Sequence, residues 1–327
     1  MDELMRRRWK ALFLMIIILL AVTSTGKAIE QRSIIQVDPT FNIQNIINTA
    51  SPNTIILFLP GTYNQTFHIR KQMTLTSQDP IHTFINVTTK QNKPAITISS
   101  SFVHLSNMTI QNNGPGFYTT GIRVLDDNVT IKNCLFKHTP IGISIWSNNN
   151  TINNNTFLNC SDEGIVLLTT TYSTANRNII SHCIFKENCD AIELQQSCYN
   201  LIENCIMINN THSGIDAIIS NNDHNIVLNC TISNNNVHGI YFTKSKENKI
   251  IDCLISNNSD GNIVIPNSEN ITIITYQEKL PSSSETNEMI LIHTPIESNE
   301  KTNVEKTPII SILMNIVIKV HTFIQNH

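Results

Sequence analysis

The chain has 327 residues, with 25 acidic against 22 basic side chains, a formal net charge of −3 and eight cysteines. With no basic excess to neutralise phosphates, nucleic acid is a poor partner, and the length suits one large domain. Glycine is scarce at 10 residues and asparagine abundant, yet the asparagines recur in register with apolar positions, unlike a disordered polar tract.

Residues 1–28 read as a signal peptide, with an uncleaved N-terminal anchor as the alternative. Arg6, Arg7, Arg8 and Lys10 form a positive region, Ala11 to Val22 an apolar one, and Thr23 to Ala28 a small polar stretch. About twelve apolar residues fall short of the roughly 20 that span a bilayer. Either reading takes the protein out of the cytoplasm, secreted or on the cell surface. Cleavage would remove Arg6, Arg7, Arg8, Lys10 and Lys27 against Asp2 and Glu3, leaving a chain of about −6.

Residues 29–60 read as an N-terminal cap and first strand. The run from Asp38 to Ser51 has the spacing of a short capped amphipathic helix. Thr54-Ile-Ile-Leu-Phe-Leu-Pro-Gly-Thr-Tyr63 then reads as a buried strand entering a turn. An uncovered first edge would recruit other chains, and this helix is the natural cover.

Residues 61–276 repeat. Gly121, Gly142, Gly164, Ala191, Gly214, Gly239 and Gly261 open successive units at steps of 21, 22, 27, 23, 25 and 22 residues. Each opener leads an apolar alternation such as Gly142-Ile-Ser-Ile, and a second alternation such as Asn150-Thr-Ile follows about ten residues later. Self-similarity at this period predicts an all-β solenoid of stacked coils. Equivalent side chains should then stand about 4.8 Å apart from coil to coil. Alignment predicts an asparagine column of Asn107, Asn133, Asn154, Asn204 and Asn229, with His182 and Asp252 as replacements. Beside it runs a thiol column of Cys134, Cys183, Cys205, Cys230 and Cys253, with Met108 and Asn155 in the other rungs. The thiols read as small core-filling hydrophobes. Cys160 and Cys189 fall in corresponding turns and form the favoured pair for a disulfide. No CxxC or zinc-ligand spacing occurs, so no metal or cofactor is expected.

Residues 277–306 read as a flexible linker. In residues 307–327, Thr307-Pro308 looks like a helix start, and Ser311, Asn315, Lys319 and Thr322 share one face. An amphipathic helix docked on protein or at a membrane surface is expected there. Membrane association would use this helix or the N-terminal segment.

The Ile43-Gln-x-x-Ile-x-x-Ala50 helix, the Pro60-Gly-Thr-Tyr63 strand end, the Ile69 to Leu75 segment and the Asn-Thr-Ile-x-Asn-Asn units resemble the right-handed parallel β-helix superfamily. Within it the chain is most similar to adhesin-like and copper-maturation-type β-helix proteins of archaea and bacteria. The resemblance spans residues 34–276 and implies a single-stranded right-handed parallel β-helix. It also implies that sugar chains lie along the outer face of the glycine-led strands.

Outward positions on that face are Arg123, Ser144 and Trp146, Val166, Glu193 and Gln195, Asp216, and Tyr241. Glu163, Asp190, His212, His238 and Asp260 lie along one rim. Glu193 and Asp216 should be neighbours one rung apart, and carboxylates about 5 Å apart suit retaining glycoside hydrolysis. Glu193, Asp216 and His238 are therefore the candidate catalytic residues, and Arg123, Trp146, Asp190 and Tyr241 the candidate ligand-binding ones, with the aromatic rings able to stack on sugars. Asn258-Ser-Asp-Gly261 resembles a polygalacturonase element, and Gly61-Thr-Tyr-Asn-Gln65 resembles the start of pectinesterases. The companion motifs of both are missing. The residues thus favour an exported surface protein presenting a long face for adhesion or glycan binding without catalysis. The alternative is a carbohydrate-active enzyme (polysaccharide lyase, glycoside hydrolase or epimerase) using those acids. A periplasmic copper-maturation-type factor is a third reading, supported only by His182, His212 and His238.

Overall fold

Residues 32–274 are described by a computed structural model. The expected signal segment, linker and C-terminal helix lie outside them. Among the described residues no helix is long and apolar enough to cross a membrane.

The chain winds into a parallel β-solenoid with three sheets. One has eleven strands, running from Ile34–Val37 to Thr272–Ile274. The glycine-led sheet has nine, from Phe67–Ile69 to Gly261–Val264. The third has nine, from Gly61–Tyr63 to Leu254–Ser256. Every pairing is parallel and joins a strand to its equivalent one coil away. Alternate residues of each strand point inward, so stacked Ile122, Ile143, Ile165, Ile192, Ile215 and Ile240 form a dry core column. Phe136, Phe157 and Phe185 stack beside it with ring centroids 4.9 and 4.8 Å apart.

The glycine openers owe their identity to this crowding. A Cβ on Gly142 would come within 2.5 Å of the Phe157 ring and of the Gly164 carbonyl. One on Gly164 would come within 2.6 Å of the Phe185 ring. The sole alanine among the openers, Ala191, belongs to the coil where the aromatic column passes to Met207, whose flexible thioether can move aside.

Between the first and third sheets the chain turns through a single left-handed residue. Asn107, Asn133, Asn154, His182, Asn204, Asn229 and Asp252 fill this position at φ between 50° and 60°. Asparagine adopts this conformation more readily than most side chains. Asn133 Nδ2 donates to Asn107 Oδ1 at 3.1 Å, Asn154 Nδ2 to Asn133 Oδ1 at 2.8 Å, and Asn229 Nδ2 to Asn204 Oδ1 at 2.6 Å. A second, fully buried ladder runs Asn150, Asn178, Asn200, Asn225, Asn248. From Asn178 on, each Oδ1 accepts the backbone N–H of the asparagine one coil before, and Asn150 Oδ1 accepts the Val129 N–H. A third runs Asn188, Asn210, Asn235, Asn258 at the next corner. The cysteine column is buried as expected. Cys160 and Cys189 are neighbours, with the Cys189 N–H donating to the Cys160 carbonyl at 3.0 Å, but both thiols are free. The expected bridge is thus absent: Cys160 is buried in the core, whereas Cys189 is only partly buried.

The N-terminal cap holds two strands rather than one, Ile34–Val37 pairing with Ile55–Phe58, and the expected helix spans Ile43–Thr49 between them. Asn42 caps it, and Ile43 and Ile47 are buried. Gln44 of the helix does a strand's work: its Oε1 accepts the His68 N–H and its Nε2 donates to the His68 carbonyl, at 2.7 and 3.1 Å. The edge strand Phe67–Ile69 is thereby paired at its centre.

Candidate functional site

The register of the glycine-led sheet places Arg123, Ser144, Val166, Glu193, Asp216 and Tyr241 in one outer column, each residue beside the next. Glu163 pairs with Asp190 on the rim. The face is not an open, solvated plane. Ser144, Val166 and Asp216 are buried on it, as are Glu163 and Asp190 on its rim. Phe117 and Tyr118, from the turn before the strand Thr120–Val124, join Ile141, Asp162, Glu163, Val166, Leu168 and Gln195 in lining a pocket of about 200 Å³ over it.

At the centre of this face, three consecutive coils bring together five carboxyl groups and one imidazole. Asp190 Oδ1 lies 2.8 Å from His212 Nδ1 and accepts the Ser213 N–H at 2.7 Å. Asp216 Oδ2 lies 3.7 Å from the same Nδ1. Glu193, one rung from Asp216, accepts from Gln195 Nε2 at 2.8 Å. Glu163 Oε2 and Asp216 Oδ1 are buried with no hydrogen-bond partner. Among the described residues, no lysine or arginine forms an ion pair with any of these acids.

Burial disfavours charge on Asp162, Glu163, Asp190 and Asp216, and mutual repulsion adds to it. Burial first and Asp190 second raise Asp216 to about 7. Burial, followed by the facing Glu193 and Asp162, pushes Glu163 far above the usual carboxylate range. Burial also raises Asp190, although the hydrogen bond and charge of His212 pull it down. For His212, burial acts downward but is outweighed by the hydrogen bond and charge of Asp190, so its affinity for a proton rises.

Of the predicted residues, the structure unites Glu193, Asp216 and Asp190 in this cluster. Arg123 and Trp146 form a separate pair, the guanidinium carbon 5.2 Å from the ring centre. Arg123 Nη2 donates to the Tyr118 carbonyl at 2.9 Å, and Trp146 Nε1 to Ser144 Oγ at 2.6 Å. Tyr241 and His238 stack with centroids 4.7 Å apart on the far side of Asp216. The three histidines of the copper reading do not converge, since His182 occupies an asparagine-ladder corner beside Asn153. Asp162 and the lining aromatics Phe117 and Tyr118 escaped sequence reasoning. Asp162 directly precedes the rim residue Glu163, but nothing local marked the Phe117 turn as folding over the sheet.

A family model described as "Right handed beta helix region" matches residues 84–217 and 169–276, together more than half of the chain. No curated protein matches it in sequence. Among solved structures, the enzymatically active domain of tailspike protein 2 from bacteriophage CBA120 is similar at TM-score 0.60 and 14% identity, over 76% of this chain and 43% of that one. The pectate lyase Pel9A is similar at TM-score 0.52 and 16% identity, over 74% and 79%. The catalytic domain of a GH87 α-1,3-glucanase complexed with nigerose is similar at TM-score 0.50 and 13% identity, over 77% and 57%. The chain thus spans less than half the length of the tailspike domain it resembles. At these identities the likeness is one of fold.

Proposed function

The chain belongs to the right-handed β-helix family, and from that premise we propose that it is an exported protein that binds polysaccharide along the outer face of its glycine-led sheet. The observation that carries this reading is the aromatic lining of that face. Trp146 lies under Arg123, Phe117 and Tyr118 stand 78% and 55% exposed at the pocket wall, and Tyr241 is stacked on His238. Aromatic faces present the apolar surface on which sugar rings stack. From Trp146 to Tyr241 is four coil steps, roughly 19 Å at the spacing of paired strands, a length that suits a chain of sugars. Pectate lyase and α-1,3-glucanase, enzymes named for polysaccharide substrates, share this fold, which supports a sugar-chain ligand. Export rests on the basic and apolar pattern of residues 1–28.

A second reading, catalysis by Glu193 and Asp216, is favoured by one specific observation: their side chains occupy adjacent rungs of one outer column. Against it, Asp216 is only 6% exposed, so an attacking or proton-donating carboxyl would have little access to a bound chain.

A polysaccharide array with product analysis tests both. Binding to at least one polymer is expected, weakened tenfold or more by joint Trp146→Ala and Tyr241→Ala substitution, with no shortened or unsaturated product. Failure to retain any polymer would remove the binding proposal. Product that disappears in Glu193→Gln would establish the enzymatic reading instead.

A further inference from the structure

We propose that Asp190, His212 and Asp216 form a binding site for a divalent first-row transition metal such as zinc. This site is independent of whether a glycan binds. One ligand atom from each residue lies within 4.8 Å of the other two. Two atoms about 2.1 Å from one metal ion are about 3.0 Å apart at a right angle and about 3.4 Å apart at the tetrahedral angle. The spacings from His212 Nδ1, 2.8 Å to Asp190 and 3.7 Å to Asp216, lie on either side of those values. Small side-chain rotations would therefore admit the ion without moving the sheet.

A further observation points to a cation. Asp216 Oδ1 is buried without a partner on a side chain only 8% exposed. Buried carboxylate oxygens are normally satisfied by donors or by metals, and among the described residues the one cationic group paired with these acids is an imidazole. An imidazole nitrogen with two carboxylate oxygens matches the ligand preference of zinc or manganese better than that of calcium, which takes oxygen alone. The Ser213 N–H already fixes Asp190 Oδ1 from behind, as outer partners of metal ligands do. Three protein ligands leave coordination positions for water, on the side where His212 is 39% exposed.

The test uses the untagged full-length protein, stripped with chelator, offered Zn²⁺, desalted and assayed for bound metal by mass spectrometry. About one equivalent per chain is expected. His212→Ala and the near-isosteric Asp216→Asn should each cut retention at least tenfold, while His182→Ala retains the wild-type amount. Circular dichroism confirms which variants are folded, and Asp216→Asn keeps the test alive if His212→Ala is not. Wild-type protein that holds no zinc, or folded His212→Ala and Asp216→Asn proteins that hold as much as wild type, would overturn the site.

Discussion

Asn178 illustrates how much a single buried amide does in this molecule. Its Oδ1 accepts both the backbone N–H and the side-chain Nδ2 of Asn150, at 2.9 and 3.0 Å. Its own Nδ2 donates to the Ser147 carbonyl and to Asn200. Truncation would strand the Asn150 N–H and the Ser147 carbonyl and leave Asn150 Nδ2 bonded to Ser147 Oγ alone; each unsatisfied buried group costs about 1–3 kcal/mol. Asn178→Ala should therefore destabilise the fold by about 3 kcal/mol or more in urea unfolding. Asn154→Ala removes an exposed ladder bond and an easily tolerated left-handed residue, and should cost about 2 kcal/mol or less. Equal losses would mean that the inner ladder is no more than turn geometry. The outer asparagine column and the thiol column were legible in the sequence because identical residues recur at a fixed phase, whereas Asn178 and its inner partners read only as the start of each second strand. The acid cluster was half legible. Glu193 and Asp216 could be placed in adjacent rungs from the repeat alone, but nothing in the repeat marked Phe117 and Tyr118 as lining a pocket beside Asp162 and Glu163.

At the scale of the element, each glycine-led strand is matched to the third-sheet strand of its own coil. The opener is small because the middle residue opposite is large: Gly121 faces Phe136, Gly142 faces Phe157, Gly164 faces Phe185. Adding a methyl group at Gly164 should cost about 2–3 kcal/mol through overpacking. Part of that loss should be recovered by Phe185→Met, which reproduces the Ala191/Met207 arrangement of the next coil. A double-mutant cycle in urea should then show favourable coupling of about 0.5 kcal/mol or more. Strict additivity would assign the whole penalty to the Ala191 carbonyl, which would stand 2.7 Å from the new methyl carbon. From the sequence the glycines read only as punctuation. The steric reason required knowing which ring each one faces.

Across the whole molecule, coil length varies and register does not. The longest step, 27 residues from Gly164 to Ala191, places its surplus in the segment around Tyr172, which is 97% exposed. Beyond it, Thr151 still pairs with Ile179 and Thr156 with Ile184. Lengthening a flexible loop costs little, about 0.6 kcal/mol per doubling. Five Gly/Ser residues inserted after Tyr172 should thus leave the circular dichroism spectrum unchanged and lower stability by less than about 1 kcal/mol. One residue inserted after Ile202 would shift the strand Leu201–Glu203 out of phase, and should abolish cooperative unfolding. Survival of the strand insertion with native spectra would contradict a register locked from coil to coil.

The side-chain amide of Gln44 has a consequence beyond the cap. By offering one donor and one acceptor to His68, it imitates a single peptide unit of the coil that would otherwise come next. A solenoid is in principle an open-ended polymer, and two copies could add to each other coil upon coil. That glutamine closes the edge of the glycine-led sheet at this end with the same hydrogen bonds that would have extended it.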